Sequence, residues 1–157
     1  MGRATNHYLL RVRLKARKGI WRTISLSGDR TLHDLHEAIF VAFDRYDPHL
    51  YLFYFPRAPR RRGNDPVRIR EFTAPEMGKD EGPYDDASRL NAAKVRLDDL
   101  RLRAGQTFEY LFDFGDSWWH EVTVEDIRQA VPGPKAFWGV VASRGASPPQ
   151  YPEAADE

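Results

Sequence analysis

Residues 107–126 constrain the fold more than any other part of the chain, because two runs of alternating side chains flank a short turn-forming segment. One side of the first run carries Phe108, Tyr110, Phe112 and Phe114, and one side of the second run carries Trp118, His120, Val122 and Val124. A two-residue period is typical of strands with one buried face. Gly115, Asp116 and Ser117 supply turn chemistry between the runs. The pattern therefore predicts an antiparallel hairpin whose aromatic side faces a core.

A second hairpin and a helix are predicted earlier in the chain. Residues 8–15 and 20–27 both resemble strands, and the link between them is short and ends in glycine. Thr31, followed three residues later by Asp34, forms a variant of the capping box. Apolar residues then recur at helical spacing, so we expect an amphipathic helix that ends at Asp47-Pro48.

The middle and the end of the chain are less regular. Residues 51–55, YLFYF, predict a strand that is buried on both faces or lies at an interface. We interpret residues from about 56 to 91 as a long loop excursion with one short strand at 67–72. KVRLDDL, at 94–100, predicts a short strand and a turn. The proline-rich, acidic tail at 131–157 is expected to pack loosely.

Together these elements predict one α+β domain over residues 1–157. Its order is β-β-α-β-(long excursion)-β-β-β, which gives a mostly antiparallel sheet with one main helix packed across it. A hydrophobic content of 41% and an aromatic content of 13% fit a folded domain. The chain has no cysteine, which excludes disulfides, thiolate metal sites and cysteine nucleophiles. No apolar run suits a bilayer and no signal peptide begins the chain, so we expect a cytoplasmic protein without a membrane partner.

The net charge of +1 conceals a split between two halves. Residues 1–74 hold 15 Lys and Arg against 7 Asp and Glu, whereas residues 75–157 hold 9 against 16. Either the two halves attract each other, which is the interpretation we favour, or a basic face meets an anionic partner.

Five motifs, in this order, resemble the plasmid pRiA4b Orf-3-like family: WRTISL, TLHDLHEAI, HLYLF, VRLDDL and YLFDFGDSWWHEV. The resemblance spans most of residues 8–127. Some members of that family are labelled insertion-element passenger or TnpR-like proteins, so the resemblance implies a fold and a plasmid or mobile-element setting rather than a reaction. It also marks His36, His49 and His120 as family positions. Two departures are Tyr51, where a second histidine is common, and Ser147, where the family's tail commonly has a cysteine.

The acidic residues of the predicted hairpin form one candidate site. Asp113, Asp116, His120 and Glu121, with His36 or His49, offer the oxygen and nitrogen ligands that Mg²⁺, Mn²⁺ or Zn²⁺ accept. However, His120 and Glu121 point to opposite sides of a regular strand. In the simpler alternative, the two aspartates bind turn amides and His120 packs beside Trp118. We therefore expect no cofactor, with a divalent metal as the alternative.

Arginines suggest a second candidate site. Arg57, Arg60, Arg61 and Arg62 follow an aromatic strand, and such a mixture can contact phosphates and stack on bases. A sequence pI near 8.0 is low for a nucleic-acid binder, and a solvated surface is the alternative.

These observations favour a non-catalytic binding or protein-interaction module, with an unidentified protein as its partner and nucleic acid as a possible one. A metal-dependent enzyme and a nucleic-acid-binding accessory protein are the competing hypotheses. The candidate contact residues are His36, His49, Asp113, Asp116, Trp118, His120 and Glu121.

Overall fold

The computed structural model describes residues 5–57, 70–76, 89–129 and 139–151. Its described residues form one helix, α1 (Leu32–Ala42), and one sheet. The strands are β1 (Asn6–Leu14), β2 (Trp21–Ser27), β3 (Tyr51–Tyr54), β4 (Glu71–Thr73), β5 (Arg89–Asn91), β6 (Thr107–Phe112), β7 (Trp118–Gln129) and β8 (Gly139–Arg144).

The strands lie in the order β5-β4-β3-β6-β7-β1-β2-β8. Every neighbouring pair is antiparallel except β4 and β5, which are parallel. The predicted α+β class, with a mostly antiparallel sheet and one helix, is therefore confirmed. Both predicted hairpins are present as β1–β2 and β6–β7.

Helix α1 covers one face of the sheet and begins as the sequence predicts. The Thr31 hydroxyl accepts a hydrogen bond from the Asp34 amide, and the Asp34 carboxylate accepts one from the Thr31 amide. Leu32, Leu35 and Ile39 on the inner side of the helix are buried in one core with the inward side chains of the strands. This arrangement places the helix across the aromatic side of β6.

The helix ends earlier than predicted, because the chain turns at Asp44 rather than at Asp47-Pro48. Asp44 has a φ of 55°, in the left-handed region. Its amide donates to the Val41 carbonyl, and the Arg45 amide donates to the Phe40 carbonyl. These two bonds form a Schellman motif, which satisfies the last carbonyls of the helix. The motif directs Arg45 back towards the core.

Three other expectations need correction. KVRLDDL contains no regular strand, although Arg96 makes a single bridge with Thr31. Its Lys94 ends one short 3-10 turn, Ala92–Lys94, and its last four residues form another, Leu97–Leu100. Strand β3 is buried on one face only, because Leu52 and Tyr54 are half-buried. Strands β5 and β8 were not predicted, and β8 lies within the tail that was expected to pack loosely.

Part of the excursion prediction lies outside the described residues, namely 58–69 and 77–88. Within the excursion, β4 and β5 extend the sheet beside β3. The single-domain boundaries and the excursion as a whole therefore stay predictions.

Two ion pairs on the side of the sheet opposite α1 join the basic and the acidic halves of the chain. Arg11 forms an ion pair with Glu125 at 2.6 Å, and Lys15 pairs with Glu109. Each pair joins a base from the first half of the chain to an acid from the second. Such partly exposed pairs contribute at most about 1 kcal/mol each, and they neutralise two of the basic side chains on this face, Arg11 and Lys15. This agrees with the interpretation that the two halves attract each other.

Replacing Asp44 by glycine should stabilise the protein, because glycine adopts a positive φ without the strain of a β-carbon. We expect Asp44→Gly to raise the free energy of unfolding in urea by about 0.5–1 kcal/mol. The matched variant Asp44→Ala should lower it. Equal stabilities of the two variants would contradict the Schellman assignment.

Candidate functional site

The bend of the β6–β7 hairpin, residues 113–117, is organised by Asp113. This residue is buried and has a φ of 63°. Its Oδ1 accepts hydrogen bonds from the amides of Gly115 at 3.0 Å and Asp116 at 3.4 Å. Its own amide donates to the Leu50 carbonyl at 2.9 Å, which ties the bend to the start of β3. Asp113 thus has the turn-stabilising role of the simpler alternative, whereas Asp116 is an exposed residue at the tip.

The second carboxylate oxygen of Asp113 faces a polar network, here called the His49 network, formed by Asp47, His49, Asp113 and Tyr151. The Tyr151 hydroxyl donates to Asp47 Oδ2 at 2.6 Å and lies 2.7 Å from His49 Nε2. Since that hydroxyl proton is directed to Asp47, the hydroxyl oxygen accepts from His49 Nε2. His49 Nε2 is also 3.5 Å from Asp113 Oδ2. The hydrogen bond to Asp47 raises the pKa of Tyr151 to about 12, so the phenol stays protonated at neutral pH.

The tail holds the loop before β3 in place. Gln150 is buried, and its Oε1 accepts from the amides of Tyr46 and Asp47 at 3.0 and 3.1 Å. Its Nε2 donates to the Asp47 carbonyl at 2.8 Å. Ser147, at the family's cysteine position, donates from its hydroxyl to the Phe43 carbonyl at 2.8 Å. Sequence reasoning missed Gln150 and Tyr151, although the departure of the tail from the family pattern pointed to this segment.

His36 belongs to the core rather than to an open site. Its Nδ1 is 2.5 Å from the Tyr110 hydroxyl, and its ring stacks on Tyr51 with centroids 3.7 Å apart. Burial, together with nearby His33, lowers the pKa of His36 to about 3, so the ring is neutral at physiological pH. His33 is half-buried and lies 2.6 Å from the Tyr51 hydroxyl.

His120 is also buried, on the inner side of β7. Its Nδ1 is 3.3 Å from the Tyr110 carbonyl oxygen, and its ring packs edge-on against Phe43 at 5.2 Å. Burial is the main reason that the pKa of His120 falls to about 3, and the nearby charge of Arg45 adds to the effect. Glu121 points to the opposite side of the strand, as the alternation predicts.

Arg45 is the residue of this region that sequence reasoning missed. Its side chain is buried, with 6% of its surface exposed, and its guanidinium lies 4.3 Å from the ring centroid of Trp118. Neither Nη1 nor Nη2 has a hydrogen-bond partner among the described residues. Trp118 Nε1 and His120 Nε2 are also buried and have no hydrogen-bond partner among the described residues. No periodicity marks Arg45, since the left-handed residue before it redirects the chain.

The structure thus brings together only part of the candidate set. His49 and Asp113 meet in the His49 network, and Trp118 and His120 lie near Arg45. His36 is enclosed by tyrosines, Asp116 is exposed, and Glu121 is on the other face. Within the described ranges, no group of three or more His, Asp or Glu side chains is arranged to hold a metal ion. Arg57 is exposed, and Arg60, Arg61 and Arg62 lie outside the described residues.

In the described part of the chain, no helix has the length and apolar character needed to span a membrane. Helix α1, with 11 residues, is too short to cross a bilayer.

The two buried histidines should make stability depend on pH. Because the folded pKa of His36 and His120 is depressed to about 3 from an unfolded value of 6.5, protonation favours the unfolded chain. Their contribution is fully present above pH 6.5 and is lost as the pH falls towards 3. Urea unfolding between pH 7 and 5 should lose up to about 1.4 kcal/mol per pH unit for each histidine.

His36→Asn should reduce the number of protons taken up on unfolding by about one, so the free energy of unfolding should depend less steeply on pH. Gln129→Ala, at an exposed residue of β7 without a titratable group, is the control and should keep the slope of the wild type. The groups facing His36 are His33, Tyr51 and Tyr110, and those facing His120 are Tyr110 and Arg45. A stability that is flat from pH 7 to 5 would show that these rings are not buried.

Removing the Gln150 side chain should loosen the loop before β3. Gln150→Ala loses three hydrogen bonds to that loop, so we expect a cost of about 2 kcal/mol in the free energy of unfolding and faster hydrogen exchange at Tyr46 and Asp47. Gln129→Ala, at an exposed glutamine of β7, should stay within about 0.5 kcal/mol of the wild type. Equal effects of both substitutions would refute the role assigned to the tail.

Comparisons with known proteins agree with the resemblance in the sequence. The family model described as plasmid pRiA4b ORF-3-like protein matches residues 6–152. The fold is similar to the crystal structure of MM3350, a protein of unknown function from Methanosarcina mazei Go1, with a TM-score of 0.70 and 25% identity. That similarity covers 94% of this chain and 74% of the other. A search of curated proteins found no match. The chain therefore belongs to the plasmid pRiA4b ORF-3-like family.

Proposed function

We propose that the protein is a non-catalytic protein-interaction module whose contact surface lies at the hairpin bend. The observation that carries the proposal is a set of exposed apolar side chains, here called the docking rim: Tyr46, Leu50 and Phe114. They expose 69%, 41% and 39% of their surface. Large apolar side chains grouped at a surface are typical of protein-binding sites.

The three residues of the docking rim are linked to one another by contacts with the His49 network. The ring of Tyr46 packs edge-on against Tyr151 at 6.0 Å, and the Tyr151 hydroxyl contacts His49. Leu50 is joined to the bend by the hydrogen bond from the Asp113 amide, and Phe114 follows Asp113 directly. Polar groups that can form hydrogen bonds thus lie between apolar anchors, as in the centre and border of many interfaces.

Preorganisation also supports the proposal. The Gln150 side chain and the turn bonds of Asp113 hold the backbone on both sides of the docking rim. A surface that is already ordered loses little conformational entropy when a partner binds.

The two buried histidines are unsuited to acid–base catalysis at neutral pH, which supports binding as the function. His36 and His120 are buried with a pKa near 3, far from the value that a general base needs at neutral pH. The proposal places the protein in the cytoplasm and in a plasmid or mobile-element setting, which rests on the family resemblance and on the absence of cysteine.

A photo-crosslinking amino acid at position 46 or 114 tests the proposal in cells of the native host. We expect a discrete protein adduct from both positions and none from position 103. Arg103 is also exposed, but it precedes β6 and so lies at the opposite end of the hairpin. Adding Leu50→Ser should reduce the adduct at least tenfold while changing stability by no more than about 0.5 kcal/mol.

Two results would overturn this function. The first is a lack of adducts at positions 46 and 114, or the same adducts at position 103. The second is a stoichiometric divalent metal in the purified protein that disappears in His49→Ala, which would favour the metal-dependent alternative. Sedimentation of the purified chain identifies a second copy as the partner if the adduct is a dimer.

A further inference from the structure

The cluster around Arg45 has an electrostatic feature that the docking rim does not explain. Its guanidinium is buried against the Trp118 ring, and both terminal nitrogens lack hydrogen-bond partners among the described residues. A buried charge without hydrogen bonds is costly. Asp113 is a nearby negative charge that raises the pKa of Arg45, but neither terminal nitrogen of Arg45 forms a hydrogen bond with it.

Arg22 shows how the same fold satisfies a buried guanidinium. It is buried to the same degree, with 7% exposed, and it also lies near Phe43. Its Nε donates to the Ala42 carbonyl at 3.0 Å, and its Nη1 donates to the carbonyls of Trp21 and Arg144 at 2.9 and 3.0 Å. Arg22 is thus a structural arginine, whereas the terminal nitrogens of Arg45 are buried without a hydrogen-bond partner among the described residues.

We propose that Arg45 and Trp118 form a binding site for a carboxylate group. The paired terminal N–H groups of an arginine match the two oxygens of a planar carboxylate, and two parallel bonds of this kind are stronger than neutral hydrogen bonds. The Trp118 indole N–H is a further unpartnered donor in the same region. The site has no atom from Tyr46, Leu50 or Phe114, so it goes beyond the proposed docking rim.

The charges of the cluster decide the sign of its ligand. Burial lowers the pKa of Arg45 to about 10, so the side chain is still positive at neutral pH. His120, the other basic group nearby, is kept neutral by burial. Asp113 is the negative group nearby, so a carboxylate ligand competes with it for the positive charge that Arg45 supplies.

Trp118 controls access to the site. It is half-buried, and its ring lies on the guanidinium whose terminal nitrogens are otherwise hidden from solvent. In this proposal a rotation of the Trp118 side chain would uncover Arg45, and the β6–β7 pairing would stay intact because it involves only the backbone of residue 118. The ligand thus replaces a cation–π contact by charge-assisted hydrogen bonds.

A titration with carboxylates at constant ionic strength tests the proposal, with chloride as the balancing anion. A carboxylate can come from a free small acid or from an acidic side chain of another protein. Sodium acetate represents the first source, and acetyl-Ala-Asp-Ala-amide represents the second, with its Asn counterpart as the blank. We expect a saturable rise in the melting temperature and a saturable shift of the Trp118 indole N–H signal, which Trp118→Phe assigns.

Arg45→Met keeps the length of the side chain but removes the charge, and it should weaken binding at least tenfold. Arg103→Met, which removes an exposed arginine, is the matched control and should bind as the wild type does. If Arg45→Met does not fold, Arg45→Lys gives the same comparison, because it retains the charge but loses the paired donors.

The proposal fails if neither probe shifts the Trp118 signal of the wild type. It also fails if the wild type, Arg45→Met and Arg103→Met all bind the carboxylates equally. A third contrary result is an Arg45→Met variant that is as stable as the wild type while carboxylates do not raise the melting temperature of either protein, because Arg45 is then a packing residue. Because the titration uses free carboxylates and no protein partner, its failure would leave the docking rim untouched, and a failed crosslinking experiment would leave this site untouched.

Discussion

The burial of one aromatic face of β6 fixes the register of the β6–β7 hairpin and so positions the polar residues of the candidate site. Phe108, Tyr110 and Phe112 are fully buried, and their rings contact the aromatic side chains of β3 and the inner side of α1. Because side chains alternate along a strand, a shift of one residue would turn all three rings towards the opposite side of the sheet. The register in which Phe112 pairs with Trp118 is therefore strongly determined. It places Asp113 at the bend and His120 against Phe43, so packing positions the polar residues.

The same constraint explains what the sequence could predict. A period of two over residues 107–126 and a capping box at Thr31 are local signals, and both gave the correct element. The predicted inner face is wrong at Phe114, which lies in the bend after β6 and is exposed. The short strands β5 and β8 have no such signal. Three-residue β5 is a strand because β4 lies beside it, and β8 is exposed along most of its length. Their structure depends on neighbours distant in sequence, which a local pattern does not reveal.

The residues of the candidate site can also be separated into those that local sequence patterns predict and those that depend on distant contacts. The turn role of Asp113 and the inward position of His120 follow from the hairpin and could be predicted. Arg45 and Gln150 could not, since each acts through contacts with residues that are far apart in the chain. Arg45 reaches the core because one residue, Asp44, adopts a left-handed conformation that no periodicity requires. The sequence comparison did identify the tail as unusual, and the structure shows that the tail forms part of the site.

The hydrogen bonds of Gln150 to Tyr46 and Asp47 close loops of more than 100 residues. Contacts between residues so distant in sequence are costly in chain entropy and form once the intervening structure has brought their ends together. The shape of the loop before β3 therefore depends on a segment that lies more than 100 residues later in the chain. A molecule that recognises this loop would thus bind only chains whose tail is in place.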